Sequence, residues 1–128
     1  MERGLSIGHD ERMEEAIPIL RVGDAGVSMA WYRRLGFEKE WEHRFEPSCP
    51  AFVRIARHGS SPLFLSEHTR DAGGPLTRGA VVYLRVEDVD TIAEEFDAEI
   101  LEMPWAREVS LTDPDGNRLR IGTPSVSL

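Results

Sequence analysis

The run Val109-Ser110-Leu111-Thr112-Asp113-Pro114-Asp115-Gly116-Asn117-Arg118-Leu119-Arg120-Ile121 reads as a β-hairpin that fixes its own register. Pro114 presets φ for the first corner of a type I turn, Asp113 can hydrogen-bond back into it, and Gly116 supplies a left-handed residue. With 114–116 as the loop, Asp113 faces Asn117, Leu111 faces Leu119 and Val109 faces Ile121 on one side. The other side then sets Ser110 against Arg120 and Thr112 against Arg118. A two-residue loop would pair Leu111 with Arg118 and turn every side chain to the wrong face. The predicted hairpin has one core face and one polar wall carrying a cation.

Upstream of the hairpin the chain repeats itself. Leu20-Arg21-Val22-Gly23-Asp24 returns as Leu84-Arg85-Val86-Glu87-Asp88, and each is followed by a helical pattern. In the first copy Ala16 to Val22 reads as a strand. Asp24 is placed to cap a helix with Val27, Ala30, Trp31 and Leu35 as its apolar stripe, ended by Gly36. In the second copy the stripe is Val89, Ile92, Ala93 and Phe96. Three strand candidates follow each helix: 37–45, 52–57 and 63–67 in the first half, 99–103, 107–112 and 117–121 in the second. Phe37 to Phe45 alternates, with Phe37, Lys39, Trp41, His43 and Phe45 on one side and Glu38, Glu40, Glu42 and Arg44 on the other. Such a strand has one wet face. His58-Gly59-Ser60-Ser61 reads as a turn and Asp71 to Gly79 as the internal linker. Two strand-helix-strand-strand-strand units, 16–70 and 79–124, therefore make one α+β domain of mostly antiparallel sheets, each unit needing its twin to cover a face.

Composition narrows the function. A chain of 128 residues can bury one core, and no run approaches membrane-spanning length. The first 15 residues are polar and aperiodic, which predicts a mobile arm, or one that folds against a partner, with a solvated His9. The lack of an apolar leader predicts a cytoplasmic protein with no membrane partner. Cys49 is alone, so an internal disulfide is excluded. A net charge of −8 argues against nucleic acid and is compatible with a cationic ligand. Dinucleotide, phosphate-loop, nucleophile-elbow and zinc-protease motifs are all missing.

The paired units resemble the glyoxalase, bleomycin-resistance and extradiol-dioxygenase superfamily, also called vicinal oxygen chelate. The resemblance is carried by Leu-Arg-Val-Gly-Asp at 20–24, Trp31-Tyr32, Leu35-Gly36-Phe37, Pro104-Trp105-Ala106-Arg107-Glu108 and Asp113-Pro114-Asp115-Gly116-Asn117, and it covers residues 16–124. Residues 41–47, Trp-Glu-His-Arg-Phe-Glu-Pro, and 65–68, Leu-Ser-Glu-His, resemble the bleomycin-resistance branch. The resemblance implies curved sheets in a half-open barrel, completed as a homodimer. It also implies where a divalent metal would sit in the enzymes of the group. A metal-binding member has His or Gln at the place of Ile17, His at the place of Val81, and Glu four residues past the hairpin glycine, where this chain has Arg120. A fourth ligand would fall within 64–67. Aliphatic side chains have no lone pair and a guanidinium repels a dication, so neither metal nor other cofactor is expected.

What remains for a ligand is aromatic and polar. The resemblance places an aromatic near Trp105 to stack on a flat, cationic guest, and Trp105 equally fits a cover on the barrel end. Trp41 and His43 share a face that the resemblance turns into the cleft, though the Phe37 and Phe45 flanks also suit plain core. Glu67 and His68 are adjacent and so point to opposite faces; Glu67 with His43 would make the acid-base pair an enzyme needs. Glu108 and Arg120 share the polar wall and are expected to neutralise each other. The expected site is thus Trp41, His43, Glu67, Trp105 and Arg120, with no catalytic residue assigned. The function this implies is non-catalytic sequestration of an aromatic or cationic, antibiotic-like molecule in a dimer cleft. A glyoxalase-like lyase or dioxygenase, metal-dependent or metal-free, is the alternative, and a small-molecule sensor stays open.

Overall fold

A computed structural model describes residues 14–125, so His9 and most of the arm expected before residue 16 lie outside the described residues. Strand β1 (Ile19–Arg21) leads to Asp24, whose carboxylate accepts from the amides of Gly26 and Val27 and starts helix α1 (Ala25–Arg34). Strands β2 (Phe37–His43), β3 (Phe52–Arg57) and β4 (Ser60–Ser66) follow, then a short pair, β5 (Arg70–Asp71) and β6 (Gly74–Pro75). The predicted linker therefore contains a small hairpin of its own. After β7 (Val81–Arg85), Asp88 repeats the role of Asp24, accepting from the Asp90 amide and the Thr91 hydroxyl at the head of α2 (Val89–Phe96). Both caps satisfy amides that a helix start otherwise leaves bare. The chain closes with β8 (Leu101–Glu102), β9 (Ala106–Thr112) and β10 (Arg118–Pro124).

The strands form two four-stranded sheets, ordered β1-β4-β3-β2 and β7-β10-β9-β8, neither closed on itself. In each sheet the first pair is parallel and the others antiparallel. One face of each sheet joins both helices in a continuous core. Leu20, Val53 and Leu65 from the first sheet and Val109, Leu119 and Ile121 from the second are wholly or almost wholly buried there. The opposite, helix-free faces carry Ile19, Trp41, Val81 and Tyr83, all exposed. Among the described residues no helix is long and apolar enough to cross a membrane.

The terminal hairpin has the register its sequence predicts: Leu119 pairs with Leu111, Arg120 with Ser110 and Ile121 with Val109, and Gly116 sits at φ +87°. Its turn also ties the two halves together. Asn117 donates from Nδ2 to the Arg21 carbonyl and accepts at Oδ1 from the amides of Gly79 and Ala80. Asp115 accepts from the Gly23 amide, and the Tyr32 hydroxyl donates to Asp113 Oδ2 at 2.8 Å.

That anchorage explains why α1 does not bury the stripe expected of it. Val27 and Ala30 are exposed, and the covered face is Ala25, Ser28, Met29 and Tyr32, with Leu35 just past the helix. Ser28 and Tyr32 go inside because Asp115 and Asp113 receive their hydroxyls, which removes the usual cost of burying them. Trp31 sits half-buried, edge-on to Tyr32 and Phe96.

Burial, the negative charge of Asp113 and the bond to it raise the Tyr32 hydroxyl far above the usual tyrosine range. The folded chain then holds this proton where an unfolded chain, with a pKa of about 10, releases it. The contribution is complete below pH 10 and is lost as pH rises above it, by at most about 1.4 kcal/mol per pH unit. Urea unfolding from pH 8 to 11 should show this decline. Tyr32→Phe should be about 1 kcal/mol less stable at neutral pH and flatter above pH 10, with a residual slope from Tyr83, whose hydroxyl is also raised by desolvation and its bond to Glu108. A variant with the wild-type slope would show that Tyr32 does not carry the effect.

Candidate functional site

The alternation of β2 breaks at one place, and the site follows from that break. Phe37 and Lys39 pair with Arg57 and Ile55, but a bulge between Lys39 and Trp41 shifts the register, so that Trp41 pairs with Arg54 and His43 with Phe52. Trp41 and His43 share the helix-free face, as expected of that pair, while Phe37, expected on the same side, is core. Phe45 lies beyond the strand and is 76% exposed.

These residues wall a cavity of about 390 Å³, within the range that small-molecule sites occupy. Its apolar side is built by Ile19 of β1, Trp41 of β2, Phe52 of β3 and Leu76. The rings of Phe52 and Phe64 lie 4.7 Å apart at their centroids, and Trp41 is 6.1 and 5.7 Å from them. His43 stands edge-on to Phe45 at 4.8 Å. Its polar side has Ser66 and His68 at the end of β4 and Arg70 and Asp71 from the small hairpin. Such a hollow can hold a flat ring against aromatic walls and meet its edge with hydrogen bonds. The carboxylates that give the chain its negative balance are not gathered here, for Asp71 is the one acid lining the cavity among the described residues.

The helix-free face of the second sheet holds a different cluster. Glu108, buried, accepts from Arg120 at 2.8 Å on Oε1 and from the Tyr83 hydroxyl and Trp105 Nε1, each at 2.8 Å, on Oε2. Desolvation pushes this carboxyl up, but the hydrogen bonds from Arg120, Tyr83 and Trp105, with the Arg120 charge, outweigh it and hold the group below the ordinary range. Glu108 and Arg120 form an ion pair, as their shared wall predicts. The same bond fixes Trp105 by its indole N–H and leaves its ring 52% exposed. Trp105 and Arg120 do not line the cavity at Trp41 within one chain.

Glu67 is placed elsewhere. Its two oxygens accept from the backbone amides of Ala25 (2.7 Å) and Ala51 (2.9 Å), so it closes the start of α1 and pins the loop before β3. Arg44 lies 3.7 Å away, and no hydrogen bond joins Glu67 to His43 among the described residues. Conversely, Phe52, Ser66, Arg70 and Leu76 line the cavity without having been singled out in the sequence. The bulge and the small hairpin that place them leave only a run of charges and a glycine-rich stretch as signals.

A model of the family described as glyoxalase superfamily protein matches residues 6–125. The chain belongs to the glyoxalase superfamily. No curated protein matches it. Among solved structures it is similar to TnmS3, an antibiotic binding protein from Streptomyces sp. CB03234, at 20% identity and a TM-score of 0.67 over 88% of this chain and 98% of that one. A bleomycin-binding protein complexed with bleomycin matches at 22% identity and a TM-score of 0.62, covering 88% of this chain and 100% of that chain. The fosfomycin resistance protein FosX from Listeria monocytogenes matches at 14% and 0.66, over 89% and 95%. At these identities the likeness is one of fold.

The side chains at the positions that the sequence resemblance assigns to metal ligands do not suit one: Ile17 and Val81 carry no side-chain donor atom, and Arg120 brings a positive charge already paired with Glu108. Glu67, the carboxylate in the fourth region, is engaged by two amides.

Proposed function

We propose that this protein binds and sequesters a small aromatic molecule without transforming it, and that a second copy completes the cleft. The observation that carries the reading is the cavity walled by Trp41 and Phe52. The antibiotic-binding and bleomycin-binding structures of the same fold support it. The second copy is supported by the apolar side chains left exposed on the helix-free faces, Ile19 and Trp41 on the first sheet and Val81, Tyr83 and Trp105 on the second. In a homodimer whose cleft forms between helix-free faces, Trp105 would join Trp41 among the aromatic groups available to the ligand. The compartment proposed for it is the cytoplasm.

The test begins with elemental analysis of protein purified without chelator and thermal shift with Ni²⁺, Zn²⁺, Mn²⁺ and Fe²⁺. We expect no stoichiometric metal and no shift; bound metal with a large shift would move the lyase or dioxygenase reading to the front. Titration with bleomycin and with naphthalene-2-carboxamide, followed by tryptophan fluorescence, then probes binding directly. Trp105→Ala should weaken binding roughly tenfold and cost only about 1 kcal/mol of stability, the value of its one hydrogen bond. A collapse of the melting temperature with unchanged affinity would make Trp105 a structural cover instead.

A further inference from the structure

We propose that the ligand of the first-sheet cavity is an aromatic acid, a planar ring system bearing a carboxylate; this rests on the binding reading above and specifies its chemistry. The cavity's polar side is rich in donors. His43, Ser66, His68 and Arg70 line it, and Asp71, its one carboxylate among the described residues, already spends Oδ1 on the Gly73 amide at 2.8 Å. Arg21 adds a second cation at its margin. It stands on the cavity face of β1, opposite Ser66 and two residues along from Ile19. Its Nε is shut off from solvent with no hydrogen-bond partner, and among the described residues Nη1 makes a single long bond, 3.5 Å to the carbonyl of Leu76. Among the described residues no carboxylate forms an ion pair with Arg21 or Arg70, in contrast to Arg120, which Glu108 balances.

An under-satisfied guanidinium beside an apolar slot selects a flat acceptor with two oxygens, because the planar fork of arginine matches a carboxylate. The ring of such a ligand lies against Trp41 and Phe52 while its acid end reaches Arg70 and Arg21. The net charge of −8 does not oppose this. Glu40 and Glu42, the nearest acids of β2, are paired with Arg54 and with Lys39 and Arg44, and exposed charges farther than about 8 Å are screened at physiological salt. The cationic guest inferred from overall charge therefore gives way to an anionic one inferred from local charge.

The test compares naphthalene-2-carboxylate, naphthalene-2-carboxamide and naphthalen-2-ylmethylammonium, read by calorimetry and by the indole N–H resonance of Trp41, assigned with Trp41→Phe. The carboxylate should bind about tenfold tighter than the amide, and the ammonium most weakly. Arg70→Met and Arg21→Met should each cut that preference to about threefold or less, because each lowers carboxylate affinity more than amide affinity. Arg70 is exposed, so its variant reports even if the Arg21 variant is less stable. Amide and carboxylate binding equally, or a preference that survives both substitutions, would overturn the aromatic-acid proposal and leave the binding reading intact. No response of Trp41 to any of the three probes would overturn both.

Discussion

Replacing Asp113 with alanine is expected to lower the Tm by on the order of 10–20 °C, a loss of roughly 3–5 kcal/mol. The carboxylate is 4% exposed and fully used. Oδ1 accepts from the amides of Asp115 and Asn117 at 2.8 and 2.9 Å, and Oδ2 from the Tyr32 hydroxyl and Asn117 Nδ2 at 2.8 and 3.0 Å. Alanine removes the acceptor and leaves those donors inside the fold, which costs more than the net worth of the bonds themselves. The damage should spread, because Asn117 and Asp115 hold the strand end at Arg21 and Gly23 to the second sheet. Hydrogen exchange at the Gly23, Gly79 and Ala80 amides should accelerate ahead of exchange in β9. Asp113→Asn keeps one acceptor oxygen for the backbone amides and should lose less than half as much. A Tm within about 3 °C of wild type for the alanine variant would show that the turn is not the tie between the halves.

How much of this the sequence announces depends on how local the deciding interaction is. The hairpin register is set by three loop residues and by side chains directly across from one another, so it could be read residue by residue. The repeated helix start was legible for the same reason, since Asp24 and Asp88 each act within three residues of their own position. The buried face of α1 was not, because Tyr32 and Ser28 are buried by acceptors 81 and 87 residues away. Apolar periodicity has no means of seeing such partners. The bulge in β2 was also hidden: one extra residue reverses the face of everything after it, and charged residues on either side of the strand hide the slip. Trp41 and His43 keep the shared face read for them, and it is Phe37 and Lys39, before the slip, that leave it. The engagement of Glu67 was hidden too, because a carboxylate that caps a helix start from 42 residues away looks, in sequence, like one free for chemistry.

Trp41→Ala should weaken binding of naphthalene-2-carboxamide by about 10- to 100-fold, or 1.4–2.7 kcal/mol, while moving the Tm little. The separation is expected because Trp41 lies on β2, an edge strand of its sheet, and is 44% exposed. Truncating it removes a wall of the cavity without opening the core on the other face, where Val53, Ile55 and Leu65 stay packed. Phe52→Ala makes the contrast. Phe52 sits on the inner strand β3, half-buried against Phe64 and paired with Ser66, so its loss should lower both affinity and stability. A neutral probe carries no charge for the arginines to pair with, and its amide meets the same polar side in wild type and variant, so the difference between them reports the aromatic wall. If the amide binds wild type and Trp41→Ala with affinities within about twofold, the ring is not held against Trp41, and the ligand site must be sought at Trp105 on the second sheet.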